Sequence, residues 1–219
     1  EGEEEPDLLT PQVPLILDFF EAAGIAIVGM DDYEADDVIA TFATREKGPI
    51  RIATGDRDLF QLVDEERDVK VAYLAKGISN HDLVNHSWIE KKYEIPGERY
   101  ALFAMIRGDA SDGLPGIRGI GEKGAAEIAK NYSSMADLIK AAKSEDPKLS
   151  PNHRKKLLAD LDYAAVADRL VQCARDVNLP KIDLSIPRSA KNAKYLETMK
   201  SDYGLGASVD RLLSALNWS

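Results

Sequence analysis

Apolar residues recur at helical spacing in two early segments of the chain, and short β-rich runs lie between and after them. The segment PLILDFFEAAGI predicts a helix that stops at Gly24. The segment DDYEADDVIATFATREKG predicts a second helix, with Asp32 as its N-cap and Gly48 as its terminator. Strands are predicted for IAIVGM (25–30), PIRIAT (49–54) and DVKVAYLA (68–75). This alternation with short joints indicates the α/β class, with a mainly parallel sheet flanked by helices.

The pattern changes in the second half of the chain. RDLFQLV (57–63) and GERYALFAMIR (97–107) predict two more helices before the loop GDASDGLPG. Beyond Gly113, a glycine-rich turn in LPGIRGIGEKGAAEIAKNY leads into a helix, and the remainder is typical of helices and loops. We therefore expect an α/β part followed by a helical part.

The composition is that of an ordinary folded protein. With 219 residues, 44% of them apolar, the chain can bury a substantial core. No run approaches the roughly 20 apolar residues of a membrane span and none resembles a secretion signal, so we expect a cytoplasmic protein without membrane contacts. Cys173 has no partner for a disulfide and suits a buried position, while His81, His86 and His153 lack the spacing of a zinc site.

The net charge of −10 argues at first against nucleic acid, since a phosphate-binding surface is usually basic. The distribution of the charge weakens that objection. The leader EGEEEPD and seven clustered acids together account for more than the whole negative balance, so the rest of the chain is slightly positive. Basic side chains are concentrated at Arg118, Lys123 and Lys130 and in the segment HRKK (153–156).

Carboxylates are crowded at three places in the chain. The clusters comprise Glu34, Asp36, Asp37, Asp56, Asp58, Asp109 and Asp112. The first cluster alone suits helix capping equally well, because acids in a first turn complement the exposed amides. The second follows a predicted strand at its carboxyl end, where open α/β sheets bind ligands.

Convergence of all three clusters would need a compensating cation, because neighbouring carboxylates repel one another. An all-acid set of ligands without His or Cys suits a hard ion, Mg²⁺ or Mn²⁺. Two such ions about 4 Å apart form the arrangement that hydrolyses phosphodiesters.

The stretch GIRGIGEKGA suits a phosphate-binding hairpin. Gly116, Gly119 and Gly121 allow a tight turn whose amides point outward at a helix N-terminus, with Lys123 beside it. Such a turn is often only a connector, and this one lacks the spacing of a nucleotide-binding P-loop. Placed directly after an acidic cluster, it better suits a helix-hairpin-helix that grips a nucleic-acid backbone without reading bases.

Three segments, YEADDVIAT, TGDRDLFQLV and GDASDGLPGIRGIGEKGAAEIA, resemble in order and spacing the 5′ nuclease family of flap endonucleases and the 5′-3′ exonuclease domains of bacterial DNA polymerase I. The resemblance runs from about Leu8 to the C-terminus. It implies that the seven acids are the catalytic, metal-binding residues of a PIN-like core. It also implies a DNA-contacting hairpin made of Arg118, Gly119, Ile120, Gly121, Glu122, Lys123 and Gly124. Gly113 departs from the family, in which Asn is common at that position.

The resemblance carries two further implications. The family's hairpin often holds a potassium ion on backbone carbonyls, which by position belong to Ile106, Arg107, Pro115, Ile117 and Ile120. Family members also have a first strand with a metal-ligand Asp, a second Asp and a basic helical arch, none of which is found in this sequence. We therefore expect a fragment whose own cleavage is impaired. Its predicted divisions are an acidic leader or connector (1–14), part of the α/β nuclease core (15–107), a helix-hairpin-helix region (108–150) and a C-terminal helical region packing on the core (151–219).

These expectations combine into a monomeric, structure-specific 5′ nuclease that cleaves DNA near junctions of a 5′ flap and duplex, by a two-metal mechanism, in replication and repair. Two alternatives stay open. A compact PIN-type ribonuclease would use a related acid cluster, although it is usually small and lacks a hairpin module. A structure-specific DNA-binding module that has lost catalysis would share the fold, but it would gain from removing negative charge near phosphates.

Overall fold

The structure, a computed structural model, describes residues 8–110 and 112–217 of the chain. The α-helices within this range are α1 (Val13–Ala23), α2 (Ala35–Arg45), α3 (His86–Tyr93), α4 (Tyr100–Arg107), α5 (Glu122–Ala129), α6 (Met135–Lys143), α7 (Pro151–Ala159), α8 (Leu161–Ala164), α9 (Ala167–Val171), α10 (Ala193–Asp202) and α11 (Gly206–Ala215). The strands are β1 (Ile50–Thr54), β2 (Val69–Tyr73) and β3 (Asp82–Val84). Short 3₁₀ helices cover Thr10–Gln12, Asp58–Leu62, Ile78–Asn80 and Gly97–Arg99.

The contacts divide the chain into two units, Tyr33–Val177 and Glu1–Asp32 with Asn178–Ser219. Residues 1–7, half of the predicted leader, lie outside the described residues. The division predicted from the sequence, with boundaries at residues 14, 107 and 150, stays a prediction.

A small mixed sheet with the strand order β1-β2-β3 lies in the unit Tyr33–Val177. Strand β1 pairs with β2 in parallel, with Ile52 opposite Val71, and β2 pairs with β3 in the antiparallel sense, with Val71 opposite Val84. The direction of each pairing follows from the length of its connection. The stretch from β1 to β2 is long enough for a crossover, whereas residues 74–81 are too few for one, so β3 must run back along β2. The predicted α/β core flanked by helices is confirmed.

The core of this unit joins the sheet to the helices that carry the second half of the chain. Helix α4 is buried on nearly every side, with Leu102, Phe103 and Met105 at most 2% exposed. Aromatic rings connect it to the sheet, because Phe60 contacts Tyr73, Trp88 and Tyr100 with ring centroids 5.0–5.5 Å apart. One continuous cluster of buried residues extends from Ile52 of β1 to Ala129 of α5. The loops at both ends of α4 are therefore fixed by a packed core.

The other unit is helical within the described residues. Helices α1 and α10 pack through Ala22, Ala23 and Leu196, and the amide of Asn192 donates to the carbonyl of Ala22 over 2.8 Å. Gly24 ends α1 as predicted, with a φ of 79° that favours glycine. The strand predicted for residues 25–30 is wrong, since these residues have no regular secondary structure. No described segment pairs with them, and β-rich composition cannot form a strand without a partner for its backbone groups.

Three smaller predictions are corrected by the backbone. Helix α2 is capped by Glu34, whose backbone is extended, and not by Asp32, whose φ of 66° is unsuited to an N-cap. It ends at Arg45 and not at Gly48, because the guanidinium of Arg67 donates to the carbonyls of Ala43, Thr44 and Glu46 and so satisfies the helix end. The segment 57–63 forms only a 3₁₀ helix, because the chain turns at Asp64 to bridge with Val69.

The described helices are short. The longest, α1 and α2, have 11 residues each, about half the length that crosses a bilayer. None of the helices in residues 8–110 and 112–217 could span a membrane.

Candidate metal centre and nucleic-acid interface

The first acidic cluster lies at the start of α2, and its members have different surroundings. Glu34 is exposed, while Asp36 and Asp37 are half-buried. Both carboxylate oxygens of Asp37 accept backbone hydrogen bonds, one from the amide of Glu34 at 3.2 Å and one from the amide of Ala174 at 2.7 Å. The capping interpretation therefore describes Asp37 well, whereas Asp36 accepts no such bond among the described contacts.

The second cluster follows β1. The hydroxyl of Thr54 accepts the amide hydrogen of Asp56 over 3.0 Å, and the Asp56 carboxylate accepts that of Asp58 over 2.8 Å. These bonds turn the chain sharply where the strand ends. The turn places Asp58 in the first position of the 3₁₀ helix, half-buried, while Asp56 remains exposed.

The third cluster lies in the loop after α4, which a close backbone crossing holds in place. The amide of Asp109 donates to the carbonyl of Leu114 over 2.9 Å, and the amide of Leu114 donates back over 2.8 Å. Gly108 and Gly116 both have positive φ, and a Cβ at Gly108 would lie 2.5 Å from the amide nitrogen of Gly116. Only glycine fits this crossing, which fixes the direction of the Asp109 side chain.

The second and third clusters meet at one point. Oxygens of Asp58, Asp109 and Asp112 lie within 4.8 Å of one another, and we call these residues the three-aspartate cluster. The first cluster lies close enough to share their field. Burial, followed by repulsion from Asp56, Glu34, Asp37 and Asp112, raises the pKa of Asp36 to about 6. Burial, followed by Asp56, Asp112 and Asp109, likewise raises the pKa of Asp58 to about 6. Carboxylates in this arrangement are held deprotonated only at a cost in free energy, which a cation would remove.

Two arginines reach the same carboxylate, and the sequence analysis missed their role. Nη2 of Arg57 lies 2.8 Å from Oδ2 of Asp109, and Nη2 of Arg107 lies 3.5 Å from the same oxygen. The side chain of Arg107 is 11% exposed, and that of Arg57 is 42% exposed. The available signal was their adjacency to the acids in GDRD and RGD, but adjacency alone does not show which oxygen a guanidinium will reach.

The last residue of α9 and the segment without regular structure that follows it, residues 171–177, cross this corner and are together called the strap. The side chain of Gln61 makes two hydrogen bonds with the strap. Its Nε2 donates to the carbonyl of Val171 over 3.0 Å, and its Oε1 accepts the amide hydrogen of Cys173 over 3.1 Å. The hydroxyl of Thr41 accepts the amide hydrogen of Val177 over 3.2 Å. Cys173 is half-buried, and burial together with nearby Asp36, Asp37 and Asp58 raises the pKa of its thiol to about 12. The strap therefore closes one side of the acid-rich site, a role that no local pattern indicated.

The predicted hairpin is present between the third cluster and α5. Gly119 has the expected positive φ of 79°, but Gly121 does not, because it caps α5 with an extended backbone at φ −87°. A Cβ at Gly121 would meet nothing within 4 Å. Within the hairpin, Arg118, Gly119, Gly121, Glu122 and Lys123 are exposed, Gly124 is half-buried and Ile120 is buried. The outer edge is therefore open to a ligand.

The hairpin is supported by side chains of α7 and by Asp160, the residue that follows this helix. The buried carboxylate of Asp160 accepts the amide hydrogen of Arg118 over 2.8 Å, and Nζ of Lys156 donates to the carbonyl of Gly119 over 2.6 Å. His153 lies against Gly124, where a Cβ would be 3.0 Å from its Nε2.

The carbonyls predicted for potassium lie along the same backbone crossing. The carbonyl of Ile106 accepts the amide hydrogen of Ile117, and the carbonyl of Ile117 accepts that of Ile120, each over 2.9 Å. The carbonyls of Arg107 and Pro115 lie in the close contact between Gly108 and Gly116. A carbonyl oxygen that accepts one hydrogen bond keeps a second lone pair, so these bonds are compatible with an ion.

Fold and site thus define an α/β protein with an acid-rich centre suited to hard cations and a helical hairpin region beside it. Comparison with known families agrees. The profile of the 5′-3′ exonuclease N-terminal resolvase-like domain matches residues 2–94, and that of the 5′-3′ exonuclease C-terminal SAM fold matches residues 95–194. The chain belongs to the 5′-3′ exonuclease family.

Individual relatives are consistent with this membership. A 5′-3′ exonuclease of Streptomyces coelicolor is 45% identical over 216 residues, which are 99% of this chain and 72% of the relative. DNA polymerase I of Mycobacterium bovis is 32% identical over 96% of this chain, but only 23% of the polymerase is covered. Among solved structures, the bacteriophage T5 flap endonuclease in a pseudo-enzyme-product complex with DNA and metal ions has a TM-score of 0.52 at 15% identity, over 85% of this chain and 60% of that one. That last likeness concerns the fold alone.

Proposed function

We propose that this protein is a structure-specific 5′ nuclease that hydrolyses DNA phosphodiesters next to a junction of single-stranded 5′ end and duplex. The observation that carries the proposal is the convergence of Asp58, Asp109 and Asp112 from two separate elements, with oxygens within 4.8 Å. Family membership and the exonuclease relatives support the reaction. The T5 flap endonuclease, whose structure contains DNA and metal ions, shares the fold that the proposed reaction needs.

The donor set fits divalent Mg²⁺ or Mn²⁺. All ligand atoms offered are carboxylate oxygens, which hard cations prefer, and no described thiol or imidazole belongs to the converging group. Burial, followed by repulsion from neighbouring carboxylates, raises the pKa values of Asp36 and Asp58, and a bound cation would offset both effects. Asp58, Asp109 and Asp112 would hold one ion, and Asp36, Glu34 and Asp56 would contribute to another. Divalent ions at such a site supply Lewis acidity for the attacking water and the departing oxygen.

The residues of the chain have separate tasks in this proposal. The exposed hairpin amides and Lys123 would bind duplex phosphates whatever the sequence, since backbone N–H groups at a helix start suit anions. The carbonyls of residues 106–120 would hold a potassium ion that keeps the hairpin in its binding shape. Asp37 would mainly hold the start of α2 against the strap, because each of its oxygens already accepts an amide hydrogen and keeps only one lone pair for a metal.

The test uses the double substitution of Asp109→Asn and Asp112→Asn, compared with Glu66→Gln and Asp162→Asn, which change two exposed acids of the same unit. The first pair should abolish cleavage of flap DNA in Mg²⁺ and leave DNA binding equal or tighter, because repulsion toward phosphate falls along with metal binding. The control pair should cleave as the unaltered protein does. Wild-type turnover by the first pair would refute the metal assignment, and preferential cleavage of single-stranded RNA would favour a ribonuclease instead.

A further inference from the structure

One oxygen of the metal centre is contacted by two cationic side chains. Oδ2 of Asp109 lies 2.8 Å from Arg57 and 3.5 Å from Arg107, although the Asp109 side chain is only 12% exposed. In a half-buried site an ion pair at 2.8 Å is much stronger than one on an open surface. A metal ion that uses this oxygen must therefore compete with an ion pair already present in the protein.

The two arginines differ in their freedom to move. Arg107 donates from Nε to the carbonyl of Gly108 over 3.1 Å, and its guanidinium lies 5.2 Å from the ring centroid of Phe103. Its Nη1 and Nη2 are buried, and neither makes a hydrogen bond with the described residues. Arg57, in contrast, is 42% exposed, and within the described residues its one ion pair is with Asp109. Arg107 is therefore fixed by its surroundings, while Arg57 can leave Asp109 for the solvent side.

The guanidinium of Arg57 is well suited to a second ligand. It is planar and always charged, and its fork of donors matches the paired oxygens of a phosphodiester as well as those of a carboxylate. It lies beside the three-aspartate cluster, where the proposed function places the reacting phosphate. When a divalent ion neutralises Asp109, the electrostatic attraction that holds Arg57 there falls, and a nearby phosphate becomes the stronger partner.

We propose that Arg57 is an exchangeable counter-ion, which binds the Asp109 carboxylate in the metal-free protein and binds a DNA phosphate when a divalent ion occupies the three-aspartate cluster. The inference rests on the proposed function, because it requires that Asp109 be a metal ligand. Arg107 stays behind Asp109 in both states and limits the negative charge that the metal encounters. Arg57 is then a residue that contacts substrate only after metal has bound, which couples DNA binding to metal binding.

The test compares Arg57→Gln with Arg51→Gln. Arg51 is a matched control, because it is also 42% exposed and pairs with a carboxylate, that of Asp68 at 2.9 Å, away from the acids. In titrations of Mn²⁺ without DNA, Arg57→Gln should bind the ion more tightly by on the order of tenfold, since a competing charge is gone. Arg57→Lys should lie between that variant and the unaltered protein, because it keeps the charge but not the fork. Arg51→Gln should match the unaltered protein.

The DNA arm uses flap DNA made resistant to cleavage by phosphorothioate linkages, with affinity measured in Mn²⁺ and in EDTA. Arg57→Gln should lose affinity by about three- to tenfold in Mn²⁺ and hardly at all in EDTA, because without metal Arg57 is engaged with Asp109. Equal losses in both conditions would overturn the exchange and make Arg57 an ordinary phosphate contact. Unchanged Mn²⁺ affinity would also overturn it. Asp109→Asn separates the two proposals, since undiminished Mn²⁺ binding by that variant would refute the metal centre itself.

Discussion

The crowded carboxylates should make the metal-free protein less stable as the pH rises. Asp36 and Asp58 have pKa values of about 6 in the folded protein, against 3.8 for the ordinary side chain. A carboxyl group whose pKa is raised by folding stabilises the folded state below the unfolded pKa, and that contribution is lost as the pH rises through the folded pKa. The window for this loss is therefore about pH 4 to 6, and a divalent ion should restore the stability above it.

The size of the effect follows from the two pKa values. Each lies about two pH units above the ordinary value, which corresponds to about 3 kcal/mol per group before solvent screening. Both groups are only half-buried, so screening reduces this to about 1–2 kcal/mol each and about 3 kcal/mol together. For a chain of this length, about 3 kcal/mol corresponds to a change in Tm of about 6–12 °C.

The change in Tm can be measured by thermal unfolding of the unaltered protein and of the double variant Asp36→Asn with Asp58→Asn. Both proteins are unfolded from pH 4 to pH 8, once with EDTA and once with Mg²⁺. Other carboxylates titrate in the same window, so the quantity of interest is the difference between the two proteins. Without metal, the unaltered protein should lose about 6–12 °C relative to the variant between pH 4 and pH 7, and Mg²⁺ should restore most of it. A constant difference across the range would show that folding does not raise the pKa values of these two acids, and the reasoning would be refuted.

The remaining predictions concern single positions. Gly121→Val should weaken binding to duplex DNA of any sequence, measured by fluorescence anisotropy, and should leave Tm unchanged, because a Cβ there meets only solvent. Gly119→Val should instead lower Tm, because the φ of Gly119 is 79°. Unchanged duplex affinity for Gly121→Val would show that the hairpin is only a connector. Asp36→Asn should weaken Mn²⁺ binding at least tenfold. Asp37→Asn should change Mn²⁺ binding less than about threefold, because the amide oxygen of Asn can still accept the hydrogen bond from the strap. Equal losses of Mn²⁺ affinity in the two variants would show that Asp37 is a ligand. Gly108→Ala should lower the free energy of unfolding, measured by urea titration, by about 2–4 kcal/mol, because its Cβ would lie 2.5 Å from the backbone nitrogen of Gly116. A loss below about 1 kcal/mol would contradict the close backbone crossing.

Those parts of the fold that depend on local pattern were predictable. Strands β1 and β2 are short β-rich runs in which apolar and polar residues alternate, and α4 and α5 have strong helical periodicity, so each was found within a few residues. Strand β3 has only three residues and was missed, because so short an element carries no periodicity. The apolar run at 25–30 failed for the opposite reason: its composition is right, but a strand also needs a neighbour with free backbone groups.

The convergence of Asp58, Asp109 and Asp112 could be expected from the sequence, because one cluster follows a strand and the other a helix, where ligands gather; that these acids bind metal stays a prediction. The surroundings of those acids were not predictable. That Arg57 and Arg107 reach the same oxygen, and that Asp37 is occupied by two amides, depends on contacts across the fold. The shape of the hairpin was predicted in outline, but the sequence could not show that Gly121 is extended rather than left-handed, because glycine permits both.

The strap has a consequence for synthesis of the protein on the ribosome. The amide of Ala174 that fixes Asp37 lies 137 residues further along the chain. At about 5–20 residues per second, that distance takes roughly 7–27 s to translate. From Asp112 onward the nascent chain carries all seven acids, but it still lacks the segment that closes the side of their site. The acid-rich site is therefore closed only after the hairpin that follows the third cluster has already been made.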